Sequence, residues 1–248
     1  IKIHFAHQTF NWSNEAKSNA AVHVVIIGFA QFDSTNKRIF EYENIKSNAH
    51  EKSAKNINAY LVEGDDIVIE KRRKPLCNVL NIIKGNYYAK SEGLIIEEKD
   101  LDYLVKNEPN AKKWIKLLIG ADEFINNRKR YCLWLVDCPP DELRKMPLVM
   151  ERVNRVREDR LKSTDKGMQN LAPIRFRETN NPDKCIVIPV VSSEKRPYIP
   201  IGFIDKNTIS TNGNLIIPNG DLFLFGQLTS LMHMAWVKYT CGRLKSDY

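Results

Sequence analysis

The stretch from residue 185 to residue 225, CIVIPVVSSEKRPYIPIGFIDKNTISTNGNLIIPNGDLFLF, decides the fold class. It contains several short apolar runs of strand length, and proline, glycine and asparagine turn signals separate them. The runs are 185–191, 198–204, 214–217 and 222–225. Because short strands of this kind alternate irregularly with helical segments along the chain, we predict an α+β fold with a mixed, mostly antiparallel sheet.

Helical and strand patterns continue on both sides of this stretch. Apolar spacing predicts helices at 99–106, 111–119 and 148–162, and further strands at 67–69, 94–96 and 131–136. Gly120 is placed to end the second helix as its C′ residue. Residues 227–241 predict an amphipathic C-terminal helix. Its predicted buried face consists of Leu228, Leu231, Met232, Ala235, Trp236 and Tyr239.

The first thirty residues predict two strands of a different sheet. The second strand, VHVVIIGF at 22–29, is almost continuously apolar, as strands covered on both faces are. From 34 to 58 the chain turns polar, which predicts an exposed connector and a domain boundary. Because the chain begins at Ile1 inside a strand-like pattern, we expect it to be cut from a longer protein.

Composition limits the class of protein. With 43% hydrophobic and 27% charged residues, the 248-residue chain is too balanced to be disordered and long enough to bury a core. No apolar run reaches the length of about 18 residues that a membrane span needs, so we expect a soluble, cytoplasmic protein with no membrane partner. The five cysteines are odd in number and lie mostly in apolar segments, which predicts reduced thiols. Their spacing predicts no zinc site.

The net charge of +8 is concentrated in one region. Between Arg144 and Arg177, ten basic residues stand against four acidic ones. Arginines on an exposed helix face can contact phosphates, and arginine can also read guanine edges in a bidentate manner. The alternative is an ordinary solvated helix face, and charge alone leaves both interpretations open.

A nuclease motif is approximated by Pro182-Asp183, followed after ten residues by Glu194-Lys195-Arg196. In the PD-(D/E)xK pattern, two carboxylates hold Mg²⁺ and a lysine assists the attacking water. Here Arg196 occupies the lysine position, and a guanidinium cannot give up a proton in the same way. A Mg²⁺-dependent nuclease therefore remains an alternative, although the lysine of the pattern is absent.

Motifs for methyl transfer from S-adenosylmethionine are absent from the chain. Enzymes that methylate DNA amino groups need a glycine-rich turn after a strand and an Asn/Asp-Pro-Pro-aromatic tetrad that grips the flipped base. The single Pro-Pro pair, Pro139-Pro140, lacks the required neighbours and better fits a strand end before a helix start at Asp141. We therefore predict no catalytic residue, no cofactor site and no metal site in this chain.

Several long strings nevertheless occur in a familiar order along the whole chain. They are FAHQTFNW (5–12), KNINAYLV (55–62), RKPLC (73–77), GADEFIN (120–126), CLWLV (132–136), LRKMPLV (143–149), VSSE (191–194), YIPIGF (198–203), MHMAWV (232–237) and CGRLKSDY (241–248). Together they resemble the MmeI-like (type IIG and type IIL) DNA methyltransferases of restriction-modification systems.

The resemblance implies a fragment that is inactive as an enzyme by itself. Family members carry, in order, a nuclease region, a helical connector, an adenine-N6 methyltransferase domain, a target recognition domain and a C-terminal helical part. S-adenosylmethionine, and Mg²⁺ for any nuclease region, would then be cofactors of the parent protein. The expected divisions are 1–32 for the terminal strands of a Rossmann-like methyltransferase domain, 33–58 for a connector, 59–222 for the recognition domain and 223–248 for the start of the C-terminal helical region.

The resemblance and the charges lead to one hypothesis about binding. The recognition domain would bind double-stranded DNA and read a short sequence, mostly through the major groove, with the upstream methyltransferase domain of the parent chain as its other partner. The predicted phosphate contacts are Lys71, Arg72, Arg152, Arg155 and Arg243. The predicted base contacts are Arg175, Arg177, Ser192, Glu194, Arg196, Asn212 and Asn214. A module that only holds enzyme domains together is the other alternative, and it predicts an exposed apolar surface on the first thirty residues.

Overall fold

The computed structural model describes residues 1–12, 22–193 and 195–242. Its contacts divide the chain into two compact units, Ile1–Leu76 together with Ala235–Tyr248, and Cys77–Met234. The described strands are β1 (Lys2–Trp12), β2 (Val22–Ala30), β3 (Lys37–Glu41), β4 (His50–Ala54), β5 (Ile83–Lys84), β6 (Ile95–Glu97), β7 (Ile115–Ile119), β8 (Arg130–Leu133), β9 (Lys184–Pro189), β10 (Gly202–Asp205), β11 (Thr208–Ser210) and β12 (Asn214–Pro218). The described helices are α1 (Glu98–Asn107), α2 (Ala121–Asn126), α3 (Pro140–Leu143), α4 (Pro147–Leu161), α5 (Lys166–Gln169), α6 (Leu222–Leu228) and α7 (Leu231–Thr240).

The predicted α+β fold with a mixed, mostly antiparallel sheet is confirmed. Among the described strands, β1 with β3 and β7 with β11 pair in parallel, and the other pairs are antiparallel. Strands lie near the N-terminus and a helix, α7, lies near the C-terminus, as expected. No helix in the described part of the chain is both long enough and apolar enough to cross a membrane.

The first unit contains one sheet with the strand order β2-β1-β3-β4. The polar segment 33–58, predicted as an exposed connector, contains β3 and β4, and both strands extend this sheet. Their alternation is short and is obscured by charged residues, yet Ile39 is fully buried and packs with Ala6 and Ala54. Lys37 is also buried, and its Nζ lies 2.8 Å from Asp33 Oδ1. The proposed domain boundaries stay predictions.

The second unit contains two sheets, with the orders β10-β9-β12-β5 and β11-β7-β8-β6. Helix α4 packs on the second of these sheets through Val149, Val153 and Val156, whose spacing places them on one face. Around them lies the largest core cluster, which includes Leu118, Leu133, Phe176 and Ile209 among its fully buried members. This core fixes the position of the loops at the sheet ends.

Residues 111–119 are not the predicted helix. A 3₁₀ helix at Pro109–Trp114 leads directly into β7, because Ile115–Ile119 lies between β8 and β11 and pairs with both. Gly120, predicted as a helix C′ residue, instead precedes α2, and its N–H donates to Glu123 Oε2 at 2.7 Å. Strand pairing on both sides of an Ile- and Leu-rich run has overridden the helical spacing.

The C-terminal elements also differ from their predictions. Residues 222–225, predicted as a strand, form the start of α6, because Asp221 Oδ1 accepts from Leu224 N at 2.8 Å and caps the helix. The predicted single helix 227–241 breaks before Ser230, whose Oγ accepts from His233 N at 3.1 Å at the start of α7. The break changes the buried face: Met234 and Val237 are buried, whereas the predicted inward residues Leu231, Met232, Trp236 and Tyr239 are exposed. Residues 67–69, predicted as a strand, are irregular and exposed.

Candidate functional site

Strand ends gather several loops at one edge of the two sheets in the second unit. β9 ends at Pro189, which pairs with Asn214 at the start of β12. Asn214 O accepts from Gly85 N at 3.0 Å, directly after β5. The parallel strands β7 and β11 end together at Ile119 and Ser210. The segments that follow or join these ends are 85–88, 120–123, 190–193 and 211–213.

Segment 175–181 joins the same edge although it belongs to no helix or strand. Arg177 N donates to Tyr87 O at 3.1 Å, and Tyr87 N donates to Glu178 Oε2 at 2.8 Å. Asn180 N donates to Asn86 Oδ1 at 2.8 Å. We call the five segments 85–88, 120–123, 175–181, 190–193 and 211–213 the loop edge.

A shallow cleft of about 360 Å³ opens within the loop edge. Tyr88 and Arg130 form one wall, with the Arg130 guanidinium 5.6 Å from the centre of the Tyr88 ring. Arg130 Nη2 lies 2.9 Å from Glu123 Oε1, so these two charges neutralise each other. Asn212 and Gly213 line the cleft as well. The cleft therefore offers an aromatic face and polar groups around a paired, partly buried charge.

The loop edge brings together three of the predicted base contacts with side chains at or near the surface. Arg177 has 61% of its side chain exposed and lies 3.5 Å from Glu178 Oε1 through its Nε. Arg175 is half-buried, and its Nη2 donates to Arg177 O at 3.1 Å. Asn212 is half-buried in the cleft wall. Guanidinium and carboxamide groups are the side chains that bind guanine and adenine edges in two-point contacts.

The other predicted base contacts divide into buried, partly buried and undescribed residues. Asn214 is fully buried, and its Nδ2 donates to Ile119 O at 3.2 Å and to Ser210 Oγ at 3.3 Å, so it joins the two sheets. Ser192 is buried too, and its Oγ has no hydrogen-bond partner within the described ranges. Arg196 is half-buried on a turn in which its N–H donates to Ser193 O at 3.0 Å. Glu194 lies outside the described residues.

The predicted phosphate contacts have different environments. Lys71 and Arg72 are exposed in an irregular segment of the first unit. Arg155 is exposed on α4 and lies 3.6 Å from Glu151. Arg152 is half-buried, and its Nη1 donates to Gly93 O at 3.2 Å and Ile95 O at 3.0 Å, which fits a role in packing α4. Arg243 lies outside the described residues.

Two residues that the sequence analysis did not select have central positions beside the loop edge. Arg160, one of the ten basic residues between Arg144 and Arg177, is only 1% exposed, and burial lowers the pKa of its guanidinium. A signal for this was present, since position 160 continues the apolar stripe of Val153 and Val156 on α4. Asn86 is fully buried, and nothing in its sequence neighbourhood indicated that.

The carboxylate of the nuclease near-match and the buried cysteines lie outside the loop edge. Asp183, from the nuclease near-match, is 89% exposed and forms an ion pair with Lys206 at 3.6 Å. Within residues 1–12, 22–193 and 195–242, no group of three His, Cys, Asp or Glu side chains is arranged to hold a metal ion. Burial raises the pKa of the Cys132 thiol to about 12 and that of Cys185 to about 11. All five cysteines are free thiols.

Comparison with known proteins identifies the family. Residues 63–248 match the model of the MmeI target recognition domain, and residues 1–41 match the model of the MmeI DNA-methyltransferase domain. DNA methyltransferase A of Bacillus subtilis (strain 168) is 40% identical over 252 residues, which cover 100% of this chain and 28% of that protein. A solved structure of the type IIL restriction-modification enzyme MmeI in complex with DNA is 43% identical with a TM-score of 0.84, covering 100% of this chain and 33% of that one.

The chain thus spans about a third or less of the length of these relatives. Both family models apply to it, with the recognition-domain model covering most of its residues. The predicted resemblance is confirmed: the chain belongs to the MmeI family of DNA methyltransferases and carries the family's target recognition domain with a part of its methyltransferase domain.

Proposed function

We propose that this chain reads the target sequence for a site-specific adenine-N6 DNA methyltransferase by binding double-stranded DNA. The observation that carries the proposal is the match of residues 63–248 to a target recognition domain. A relative with 43% identity has been solved in complex with DNA, which supports DNA as the partner here. A cytoplasmic location, where bacterial DNA lies, is part of the proposal.

The loop edge supplies the side chains for reading bases. Arg177 and Asn212 carry groups suited to guanine and adenine edges. Arg175 is a further guanidinium of this edge, and it donates to Phe176 O and Arg177 O. Arg196 belongs to the segment that continues from 190–193. Asn214 and Ser192 support these loops from within, since both are buried. Base contacts by these residues would specify the sequence.

Phosphate contacts would orient the protein without reading sequence. The exposed cations Lys71, Arg72 and Arg155 suit this role, because their side chains already lie at the surface. Arg152 is half-buried on the side of α4 that donates to Gly93 O and Ile95 O, which favours a role in packing this helix over a phosphate contact. Each phosphate neutralised releases counterions, so binding by this set would weaken as salt rises.

The methyltransferase domain of the parent protein is the proposed second partner. Several apolar side chains in the first unit are exposed, among them Trp12 at 46%, Val22 at 49% and Phe29 at 63%. Patches of this kind on a strand mark a contact surface. Since residues 1–41 match the methyltransferase model, the remainder of that domain is the natural cover for them.

S-adenosylmethionine would be the cofactor of the parent protein, with Mg²⁺ for any nuclease region. Gly28 does not fit the glycine-rich turn that would hold the methyl donor. Gly28, the glycine of β2, faces the Phe5 ring so closely that an added Cβ would lie 2.1 Å from it, and it forms no open turn after a strand. We expect the transfer step to use other parts of the parent protein.

Binding to DNA provides the test. The full-length parent protein is incubated with a pool of duplexes that contain a random central region, and bound duplexes are amplified and sequenced. We expect one short motif to be enriched, and the affinity measured by fluorescence anisotropy to fall as salt concentration rises. An unenriched pool, or binding that is insensitive to salt, would contradict the proposal.

A further inference from the structure

Segment 171–181 contains no helix or strand but is anchored at both of its ends. At the first end, the buried Arg160 of α4 binds three carbonyls of the segment. Its Nη1 donates to Leu171 O at 3.1 Å and Ala172 O at 2.5 Å, and its Nη2 donates to Arg175 O at 2.6 Å. The Arg160 guanidinium therefore holds the first part of the segment in place.

The same guanidinium also binds the chain before the core strand β6. Arg160 Nε donates to Lys90 O at 3.2 Å, and Nη2 donates to Ser91 Oγ at 2.6 Å. An arginine has five N–H groups, and Arg160 makes five hydrogen bonds to protein acceptors, none of which is a carboxylate. A buried cation so fully occupied is a rigid connection, because any displacement would leave a donor unpaired.

At the other end, the side chain of the buried Asn86 pairs with the main chain of Asn180 through both of its polar atoms. Its Oδ1 accepts from Asn180 N at 2.8 Å, and its Nδ2 donates to Asn180 O at 2.9 Å. The main chain of Asn86 meanwhile accepts from Asn212 N at 3.0 Å and donates to Ser210 O at 2.8 Å. One buried residue thus connects two parts of the loop edge, 175–181 and 211–213.

Between the anchors, Phe176 holds the segment against the core. Its ring is 1% exposed and lies edge-on to Trp134 at 6.0 Å between ring centres, with Tyr88 at 6.4 Å. Of the residues on either side, Arg177 is exposed, and Arg175 is half-buried with its guanidinium donating to Phe176 O and Arg177 O. Arg160, Phe176 and Asn86 thus hold the segment at three points. Arg175 and Arg177 lie on either side of Phe176 in the chain.

We propose that Arg160 and Asn86 are positioning residues for sequence reading, which hold Arg175, Arg177 and Asn212 at fixed relative positions before DNA binds. This inference rests on the proposed function. Two-point contacts to a base edge depend on the placement of the guanidinium or carboxamide, and a frame that is ordered beforehand avoids the entropic cost of ordering it on binding. Neither residue touches DNA in this arrangement, since both are buried.

The test uses the full-length parent protein and the random-duplex pool. Arg160→Lys removes the forked donor while keeping the charge, and Asn86→Ala removes the pairing with Asn180. Arg157→Lys is the matched control, because it makes the same change at an exposed position of the same helix. Thermal unfolding establishes that each variant is folded.

For the two anchor variants, we expect the ratio of affinities between the selected motif and its single-base variants to fall about tenfold at one or more positions. The slope of affinity against salt should stay as in the parent, since no phosphate contact is changed. Arg157→Lys should select the parental motif. Unchanged discrimination in a folded anchor variant would overturn the inference, whereas a parent protein that selects no motif would overturn the proposed function instead.

If the variants fail to fold, hydrogen exchange in the unmodified protein tests the inference. Hydrogen exchange of the Arg177 and Asn180 amides is followed in the absence of DNA. Because these amides donate to Tyr87 O and Asn86 Oδ1, we expect them to exchange at least a hundredfold more slowly than in an unfolded peptide. Exchange at the peptide rate would show that the segment is not held before binding and would overturn the inference.

Discussion

Glycine at position 85 is required by the main chain that surrounds it. A Cβ at this position would lie 2.1 Å from Thr211 O and 2.8 Å from Ser210 O, and both are backbone atoms held by strand pairing. We therefore expect Gly85→Ala to lower the free energy of unfolding by about 1–3 kcal/mol, as other overpacked sites do. Urea unfolding of the parent protein measures this change.

The control for that substitution is Gly226→Ala in α6, where nothing lies within 4 Å of the added Cβ. Alanine is favoured over glycine inside a helix, so stability should be equal or slightly higher. Equal stability of the two variants would contradict the steric argument at position 85.

The buried cysteines should resist alkylation. The thiolate is the reactive species, and burial raises the pKa of Cys132 to about 12 and that of Cys185 to about 11. At pH 8, iodoacetamide should leave both thiols unmodified in the native protein and modify them once denaturant is added. Peptide mass mapping reads the result, and rapid native modification of either residue would refute its burial.

At the residue scale, charge counting predicted the region of interest but not the role of each arginine. Arg155 is exposed as expected, whereas Arg160 is buried and Arg152 is half-buried. The difference follows from helix phase, because position 160 falls on the stripe of Val153 and Val156. The carbonyls that make burial of Arg160 tolerable come from Lys90 and from segment 171–175, outside helix α4, and no local pattern announces them.

At the scale of elements, helix α4 is capped by a residue from another part of the chain. Glu108 is buried, and its carboxylate accepts from Leu148 N at 2.5 Å and Val149 N at 3.0 Å. A carboxylate at a helix N-terminus satisfies free N–H groups and interacts favourably with the helix dipole. We expect Glu108→Ala to destabilise the protein by about 1–3 kcal/mol in chemical unfolding.

Glu108→Gln should lose less stability than Glu108→Ala, because the carboxamide keeps one acceptor oxygen. Glu151→Ala, on the exposed face of the same helix, serves as the control and should change stability by less than about 0.5 kcal/mol. A similar loss in the Glu108 and Glu151 alanine variants would exclude the remote cap.

Elements with a clear period were predicted correctly, and elements defined by their neighbours were not. The helix at 148–162 corresponds to α4 because its valine stripe is regular. β7 was predicted as a helix, since its strand character depends on pairing with β8 and β11. Residues 222–225 consist only of Leu and Phe, and the Asp221 cap decides for a helix over the predicted strand.

At the scale of the whole molecule, the proposed roles of the cations predict two different effects of charge reversal. Arg155→Glu should weaken binding of the parent protein to all duplexes alike, because a phosphate contact is lost. Arg177→Glu should instead change the motif selected from the random pool. Anisotropy and pool sequencing distinguish these effects, and a motif change with Arg155→Glu alone would reverse the assignment of roles.

The family and fold class followed from the sequence, whereas the assembly of the site did not. Strings spread over the whole chain indicated an MmeI-like protein, and both family models match. The loop edge is formed by segments separated by up to about 125 residues, such as 85–88 and 211–213, and strand pairing brings them together. A single sequence contains no direct record of that pairing.

The anchors of segment 171–181 bind mainly to main-chain atoms of the loops they hold. Arg160 contacts the carbonyls of residues 171, 172 and 175, and Asn86 contacts the main chain of residues 180, 210 and 212. A carbonyl or N–H is present whichever side chain its residue carries. If positions 175, 177 and 212 contact bases as proposed, mutation there would alter the sequence that is read while the scaffold persists, so new specificities could arise in such a protein without a new fold.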